Sequence, residues 1–412
     1  MPGRVRKHTG AEPENRVARR QVVHEEMPMI VNIEFFDIEP IENVITSLNY
    51  QMDKTIFFGY EEVMKPYRDS VEKFLKTVCA VREVEFYPVS SVDLTGIIQV
   101  ISDVVQKEKA QGNHVYFDLT GGESLPLVAF GILAKTFAAP MYMFDIRTNE
   151  LREFCCGESA LSVVASKRQI KMNLDQFISL YNGVINYRQK KSFKSVSEDS
   201  AADIENMWKL SRNYGDKWVH YASVLRKFPP DGAMTVKVES QRFVGEFRKN
   251  PRAGKIKDFH KFLAECGQLG FLKVFAAGKK GYHFRYKDSV IKELFWDSGS
   301  ILEMYAYLLE SRREETADCR VGVHIDWDGV IHSGGNQDVL NEIDVMAIRN
   351  NLPVFMSCKI GHVDQMALYE LETVANRFGG KYATKILATA QIPSEGHMRR
   401  AKEMGIEVRI LT

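Results

Sequence analysis

The stretch HVYFDLTGGESLPLVAF, residues 114–130, decides how this sequence folds. Its opening run, His114-Val115-Tyr116-Phe117, is short, aromatic and β-branched, and reads as a buried strand. Asp118-Leu119-Thr120-Gly121-Gly122-Glu123-Ser124 follows and opens a helix. Two successive glycines let the backbone turn tightly and approach a ligand closely. Free N–H groups at the start of the helix favour an anion such as phosphate. Thr120 and Ser124 add hydroxyl donors, and Pro126 falls in the first turn, where its missing N–H costs little. A strand-to-helix turn that needs glycine for geometry alone satisfies the same residues. There is no GxxxxGK[ST] pattern, so a loop that hydrolyses nucleoside triphosphates is not expected.

Working outward, residues 29–155 alternate strands with helices. Strands are expected at 30–36, 54–60, 82–89, 114–120 and 140–146, with helices between them, including a long one from Glu61 to Cys79. Such alternation implies parallel pairing and an α/β doubly wound sheet, whose ligands sit at the carboxyl ends of the strands. Asp37, just after the first strand, lies at that end.

Residues 156–235 read as a helical connector, with a polar loop over 190–200. Residues 236–297 read as a small winged-helix-like module: a helix over KIKDFHKFLAECGQLG, then a hairpin around Gly278-Lys279-Lys280-Gly281. The two lysines suit nucleic acid, or simply solvate a turn. A second α/β unit spans 298–412. Residues 1–28 are polar, rich in Arg, Glu and His, and lack a periodic apolar face. They read as a disordered or tag-like arm, with Met27 or Met29 a possible first residue.

The chain has 412 residues, 45% hydrophobic and 26% charged, enough for two or more cores. Net charge is +1, so any basic surface for nucleic acid must be local. Six scattered cysteines without CxxC spacing read as reduced thiols of a cytoplasmic protein. No apolar run approaches the ~20 residues that span a bilayer, so no membrane association is expected.

In the last unit, Glu342, Asp344 and Met346 share one face of a strand, and Phe355, Ser357 and Lys359 one face of the next. A turn at Arg349-Asn350-Asn351 pairs the two strands and brings two carboxylates towards a lysine. Neighbouring carboxylates repel unless positive charge stands beside them, which Lys359 and a divalent metal would supply. Glu303 lies in the apolar helix ILEMYAYLL, where an unpaired carboxylate costs several kcal/mol by order of magnitude. A structural ion pair among Glu303, Asp344 and Lys359 is the alternative. Asp326, Asp328, Glu370 and Glu372 are further candidate ligands, and His362 reads as a loop residue.

The DLTGG stretch after a fourth strand resembles the signature of CARF domains, the CRISPR-associated Rossmann-like sensors. The resemblance covers residues 29–155 and implies a homodimer that binds a cyclic oligoadenylate, cyclic tetra-adenylate in particular. Asp37, Asp118, Thr120, Gly121, Gly122, Glu123 and Ser124 would line the ligand, although many relatives carry Lys or another polar residue where Glu123 stands. The order helix with Glu, strand, strand with Asp, strand with Lys, helix resembles the PD-(D/E)xK nuclease core. By that resemblance Asp344, Glu342 and Glu303 would hold Mg²⁺ or Mn²⁺ and Lys359 would orient water or offset phosphate charge. The pattern expects an acid at Ser357, which is a poor metal ligand. Glu342 is best placed to substitute; otherwise the site is weakened or inactive.

Together the two resemblances imply a cyclic oligoadenylate-activated, metal-dependent endonuclease of type III CRISPR defence, acting on DNA and/or RNA. The competing reading is a ligand-responsive nucleic-acid-binding regulator with an inactive nuclease-like domain. A third, cleavage of its own cyclic ligand, finds no obvious general base in the DLTGG loop.

Overall fold

The computed structural model describes Gly3 and residues 27–90, 92–154, 156, 157, 159–188, 198–228, 233–297, 299–332 and 340–412. Most of the expected N-terminal arm, residues 190–197 of the loop expected over 190–200, and Cys155 lie outside the described residues, while 198–200 open a helix instead.

The first unit runs β1 (Ile30–Phe35), α1 (Glu42–Asn49), β2 (Lys54–Gly59), α2 (Glu61–Met64), α3 (Arg68–Thr77), β3 (Glu83–Pro88), α4 (Leu94–Ala110), β4 (His114–Asp118), α5 (Ser124–Phe137), β5 (Met141–Asp145) and β6 (Glu150–Phe154). Its strands are ordered β3-β2-β1-β4-β5-β6, parallel except for the β5–β6 pair. The single helix expected from Glu61 to Cys79 divides into α2 and α3 around Pro66, which has no N–H to donate to the preceding turn. Strand β6, half-exposed along its length, carries no apolar run that would announce it. The order reverses between β1 and β4, so the loops that leave these neighbouring strands diverge and open a crevice at their carboxyl ends.

A connector follows with α6 (Leu161–Val164), α7 (Leu174–Leu180), β7 (Val184–Ile185), α8 (Glu198–Tyr214) and α9 (Asp216–Arg226). Next come β8 (Thr235–Val238), α10 (Ser240–Arg248), α11 (Ile256–Gln268), β9 (Leu272–Gly278), β10 (Gly281–Tyr286) and α12 (Ser289–Trp296). The sheet β8-β10-β9 buries Val236, Leu272, Tyr282, Phe284 and Tyr286 in one cluster with Phe259, Phe262 and Leu263 of α11. A strand, two helices and a hairpin on one aromatic core form a winged-helix arrangement.

The last unit runs α13 (Ser300–Ser311), β11 (Thr316–Asp326), β12 (Leu340–Arg349), β13 (Leu352–Lys359), α14 (Gln365–Gly379), β14 (Thr384–Thr389), α15 (Glu395–Glu403) and β15 (Ile406–Ile410). Its sheet is ordered β15-β14-β13-β12-β11-β7, so the connector lends it an edge strand. Asn350 and Asn351 both take positive φ and close a two-residue hairpin that pairs Arg349 with Leu352. Asparagine tolerates that conformation better than most residues.

Side chains alternate across this sheet. Met346, Ile348 and Phe355 join a core with Leu368, Leu371 and Val374 of α14, which continues into Phe36 and Ile41 of the first unit. Val345, Ala347, Val354 and Met356 join α13 and the aromatic core of the winged helix. The sheet thus packs on α14 and the first unit on one face and on α13 and the middle module on the other. No described helix is long and apolar enough to cross a membrane.

Candidate functional site

Asp344 points from β12 towards the end of β13. The β12–β13 ladder ends at the Val345–Met356 pair, and beyond it the Asp344 carboxylate takes over as acceptor. Its Oδ2 receives the Cys358 N–H at 2.6 Å and the Ser357 hydroxyl at 3.4 Å. Burial pushes the Asp344 carboxyl up; the Cys358 N–H and the Lys359 charge oppose that shift, and Glu342 adds to it. These side chains line one cleft of about 350 Å³ with Asn341, Ser357 and Glu370. Glu342 also lies 3.7 Å from His324 Nε2 on β11.

Glu342, Asp344 and Lys359 therefore meet as their strand parity requires. Glu303 does not enter their cleft. It lines a separate pocket with Trp296, Asp297 and Met304, because α13 packs on the opposite face of the sheet. Cys358 is buried on the α13 side and feels both carboxylates. Burial pushes its thiol well up, and Asp344 and Glu303 each push it further. Of the secondary candidates, Glu370 of α14 lines the cleft, Glu372 pairs with Lys385 at 3.7 Å, Asp326 is the buried last residue of β11, and Asp328 lies in the turn after it. His362 is exposed.

Among the described residues no three acidic, thiol or imidazole groups converge as a metal cage. The paired carboxylates of Asp344 and Glu342 nevertheless fit a hard cation that keeps waters and takes further oxygens from a bound phosphate, as Mg²⁺ does.

The loop after β4 is braced from within. Asp118 is fully buried and accepts from Thr46 Oγ1 at 2.7 Å and from the Thr120 N–H at 2.8 Å. The Thr120 hydroxyl accepts the Phe144 N–H at 2.9 Å. Asp37 Oδ2 receives the Gly122 N–H at 3.0 Å. Asp37, Asp118 and Thr120 thus support the loop, and Asp37 takes up one N–H that a phosphate was expected to use. A Cβ on Gly121 would lie 3.0 Å from that of Asp37, and Gly122 has φ of +111° against Phe35, so both positions require glycine. Glu123 and Ser124 are exposed, and their N–H groups and that of Gly121 make no backbone bond among the described residues. Glu123 lies beside Tyr60, whose hydroxyl is pushed up by burial and then by that carboxylate.

Sequence reasoning missed the contact between this loop and the last unit. Glu42, in the first turn of α1, accepts from the Tyr382 hydroxyl and pairs with Lys381 Nζ at 2.9 Å. Its other oxygen, Oε2, lies beside Gly121. Glu39 Oε1 accepts the Lys381 N–H at 3.2 Å. Burial, then Asp37, push the Glu42 carboxyl up to about 7, against the opposing help of Tyr382 and Lys381. The signal available was Glu39 and Glu42 within an otherwise apolar helix start, but nothing local names a partner some 340 residues away.

Residues 293–410 match the family described as the Card1-like endonuclease domain. Protein VC1899 from Vibrio cholerae has a similar structure, with TM-score 0.69 and 14% identity over 92% of this chain and 94% of that one. Can2 from Sulfobacillus thermosulfidooxidans, solved in complex with cyclic tetra-adenylate, gives TM-score 0.60 and 14% identity over 92% of each chain. A type III CRISPR defence DNA nuclease activated by cyclic oligoadenylate gives TM-score 0.50 and 13% identity over 88% of this chain and 46% of that longer one. No curated protein matches the chain. Residues 293–410 thus match a Card1-like endonuclease domain, and the chain as a whole shares its fold with Can2 and with that DNA nuclease.

Proposed function

We propose that the chain is a metal-dependent endonuclease of type III CRISPR defence, activated when a cyclic oligoadenylate binds the loops after β1 and β4. The observation that carries the reading is the meeting of Asp344, Glu342 and Lys359 in one cleft of an endonuclease domain. Asp344 and Glu342 would hold Mg²⁺ or Mn²⁺, and the ion would supply a Lewis acid and a more acidic water. The Cys358 N–H fixes the Asp344 carboxylate at the strand end. Lys359 sets its ammonium against the charge that gathers on the phosphate as the ester P–O bond breaks. Glu342, facing the same way as Asp344, does what Ser357 cannot. Glu303, on the opposite face of the sheet, takes no part in this cleft.

Gly121, Glu123 and Ser124 are the groups of the DLTGG loop that meet the ligand, while Asp37, Asp118, Thr120 and Gly122 set the loop's shape. Cyclic tetra-adenylate is the ligand proposed, since the Can2 structure of similar fold holds it. Val128 and Ile132, 52% and 45% exposed and one turn apart on α5, offer an apolar stripe beside the loop on which two copies would meet. A homodimer would place two loops about one symmetric ligand. Signal passes to the nuclease through Glu42, Lys381 and Tyr382. The competing reading, a nucleic-acid-binding regulator without chemistry, draws on Ser357.

Incubation of the wild type and Asp344→Asn with Mn²⁺, cyclic tetra-adenylate and single-stranded or plasmid substrates tests the reading. Cleavage by the wild type and none by Asp344→Asn supports it. Equal cleavage by both, or by neither, removes it.

A further inference from the structure

The winged-helix module holds a charge imbalance that the catalytic cleft does not use. Over residues 233–288 lysine and arginine outnumber aspartate and glutamate by thirteen to five, in a chain whose net charge is +1. Three of these cations stand on the outer face of the sheet β8-β10-β9, opposite the aromatic core. Thr235, Lys237, Lys273, Phe275 and Arg285 are exposed there, with His283 half-buried among them, and the three strands carry no aspartate or glutamate.

The register aggravates the charge. Arg285 lies directly opposite Lys273. Like charges opposite one another destabilise a sheet. Among the described residues none of Lys237, Lys273 or Arg285 has a carboxylate partner to relieve this. A second observation lies on the same face. The pairing of β9 with β10 shifts at His283/Phe284, an irregularity of the β-bulge kind that falls opposite Phe275. Such an irregularity re-aims a side chain. The Phe275 ring is 51% exposed, with its centroid 4.5 Å from the His283 ring and 5.6 Å from Lys273 Nζ. An exposed aromatic ring among unpaired cations costs the free protein and suits a polyanion with flat bases.

We propose that this sheet face is a docking surface for single-stranded nucleic acid, with Lys237, Lys273 and Arg285 on the phosphates and Phe275 stacked on a base. The assignment rests on the nuclease reading for its choice of polyanion. A single strand fits better than a duplex, because a ring lying on a sheet can stack only on a base freed from pairing. The surface is carried by the unit that packs against α13, so it holds a strand beside the nuclease sheet without taking part in its chemistry.

The test measures fluorescence anisotropy of labelled 20-nucleotide oligonucleotides with the full chain in the Asp344→Asn background, over a range of salt. Phe275→Ala is expected to weaken single-strand binding about tenfold, and Phe275→Trp to restore it. Lys273→Gln with Arg285→Gln should make the log–log salt dependence shallower by about 1.4, two phosphate contacts' worth. A duplex of the same sequence should be indifferent to Phe275→Ala. Single-strand binding unchanged in all variants overturns the surface, as does a duplex that responds to Phe275→Ala as strongly as the single strand. A wild type that cuts through Asp344 while these variants bind normally overturns the surface alone; a wild type that never cuts overturns the nuclease reading alone.

Discussion

Glu42 and Tyr382, 340 residues apart in sequence, are joined by a hydrogen bond that ties the first turn of α1 to the turn following α14. Lys381 reinforces it at 2.9 Å. On its other side the Glu42 carboxyl lies beside Gly121 of the DLTGG loop. The helix α14 that ends at this turn also lines the catalytic cleft through Glu370, Leu371 and Val374. One buried carboxyl is therefore in contact with the candidate ligand loop and with the element that walls the candidate active site.

Tyr382→Phe removes the hydroxyl and keeps the ring. The ratio of ligand-stimulated to basal cleavage should fall about fivefold or more, with basal cleavage unchanged, since coupling free energies of this kind are worth 1–3 kcal/mol by order of magnitude. Initial rates with and without cyclic tetra-adenylate give the ratio. An unchanged ratio would mean that the contact is structural only.

Protonation of Glu42 should be visible in stability. Its folded pKa of about 7 lies above the unfolded value, so its contribution is complete below that unfolded value and is lost as pH rises through about 7. Asp37, Glu34 and Glu39 face the group with negative charge and Lys381 and Tyr382 oppose them. Glu42→Gln cannot ionise. Its Tm relative to wild type should be higher at pH 8 than at pH 5, and an equal difference at both would contradict the assignment.

Ser357 and Glu342 make opposed predictions. With Glu342 as second carboxylate, Glu342→Gln lowers cleavage by about 100-fold or more. Ser357→Glu should then change the rate by less than about tenfold, because the charge it adds is already present. A large gain on Ser357→Glu from near zero would show instead that the native site lacks a ligand.

Lys54 tests the sensor-like unit. Its buried ammonium meets Glu83, Glu85 and Glu108 at 3.1, 2.6 and 3.0 Å, and Glu108 is fully buried. Lys54→Met leaves that carboxylate unpaired and should cost about 3–5 kcal/mol in urea unfolding. Adding Glu108→Gln should recover part of the loss; no recovery would place the cost elsewhere.

Much of this architecture was legible in sequence because its signals are local. Alternating strands and helices fix the first sheet, Asn350-Asn351 fixes a hairpin, and strand parity puts Glu342, Asp344 and Lys359 on one side. What escaped depends on how separate units pack. Glu303 reads as a partner of Asp344 until α13 is seen on the other face of the sheet. That Asp37 also receives the Gly122 N–H, and Thr120 the Phe144 N–H of β5, could not be read from either residue's neighbourhood. Glu42 meets Tyr382 only once two sheets are packed together, a relation no window of sequence contains.

The central claim is that a nucleotide ligand switches a nuclease, and the rate of single-stranded DNA and RNA cleavage in Mn²⁺, with and without cyclic tetra-adenylate, tests it most directly. The account predicts slow basal cleavage, a rise of about tenfold or more on adding the ligand, and loss of both rates in Asp344→Asn. Cleavage by the wild type that proceeds at the same rate without the ligand would contradict it.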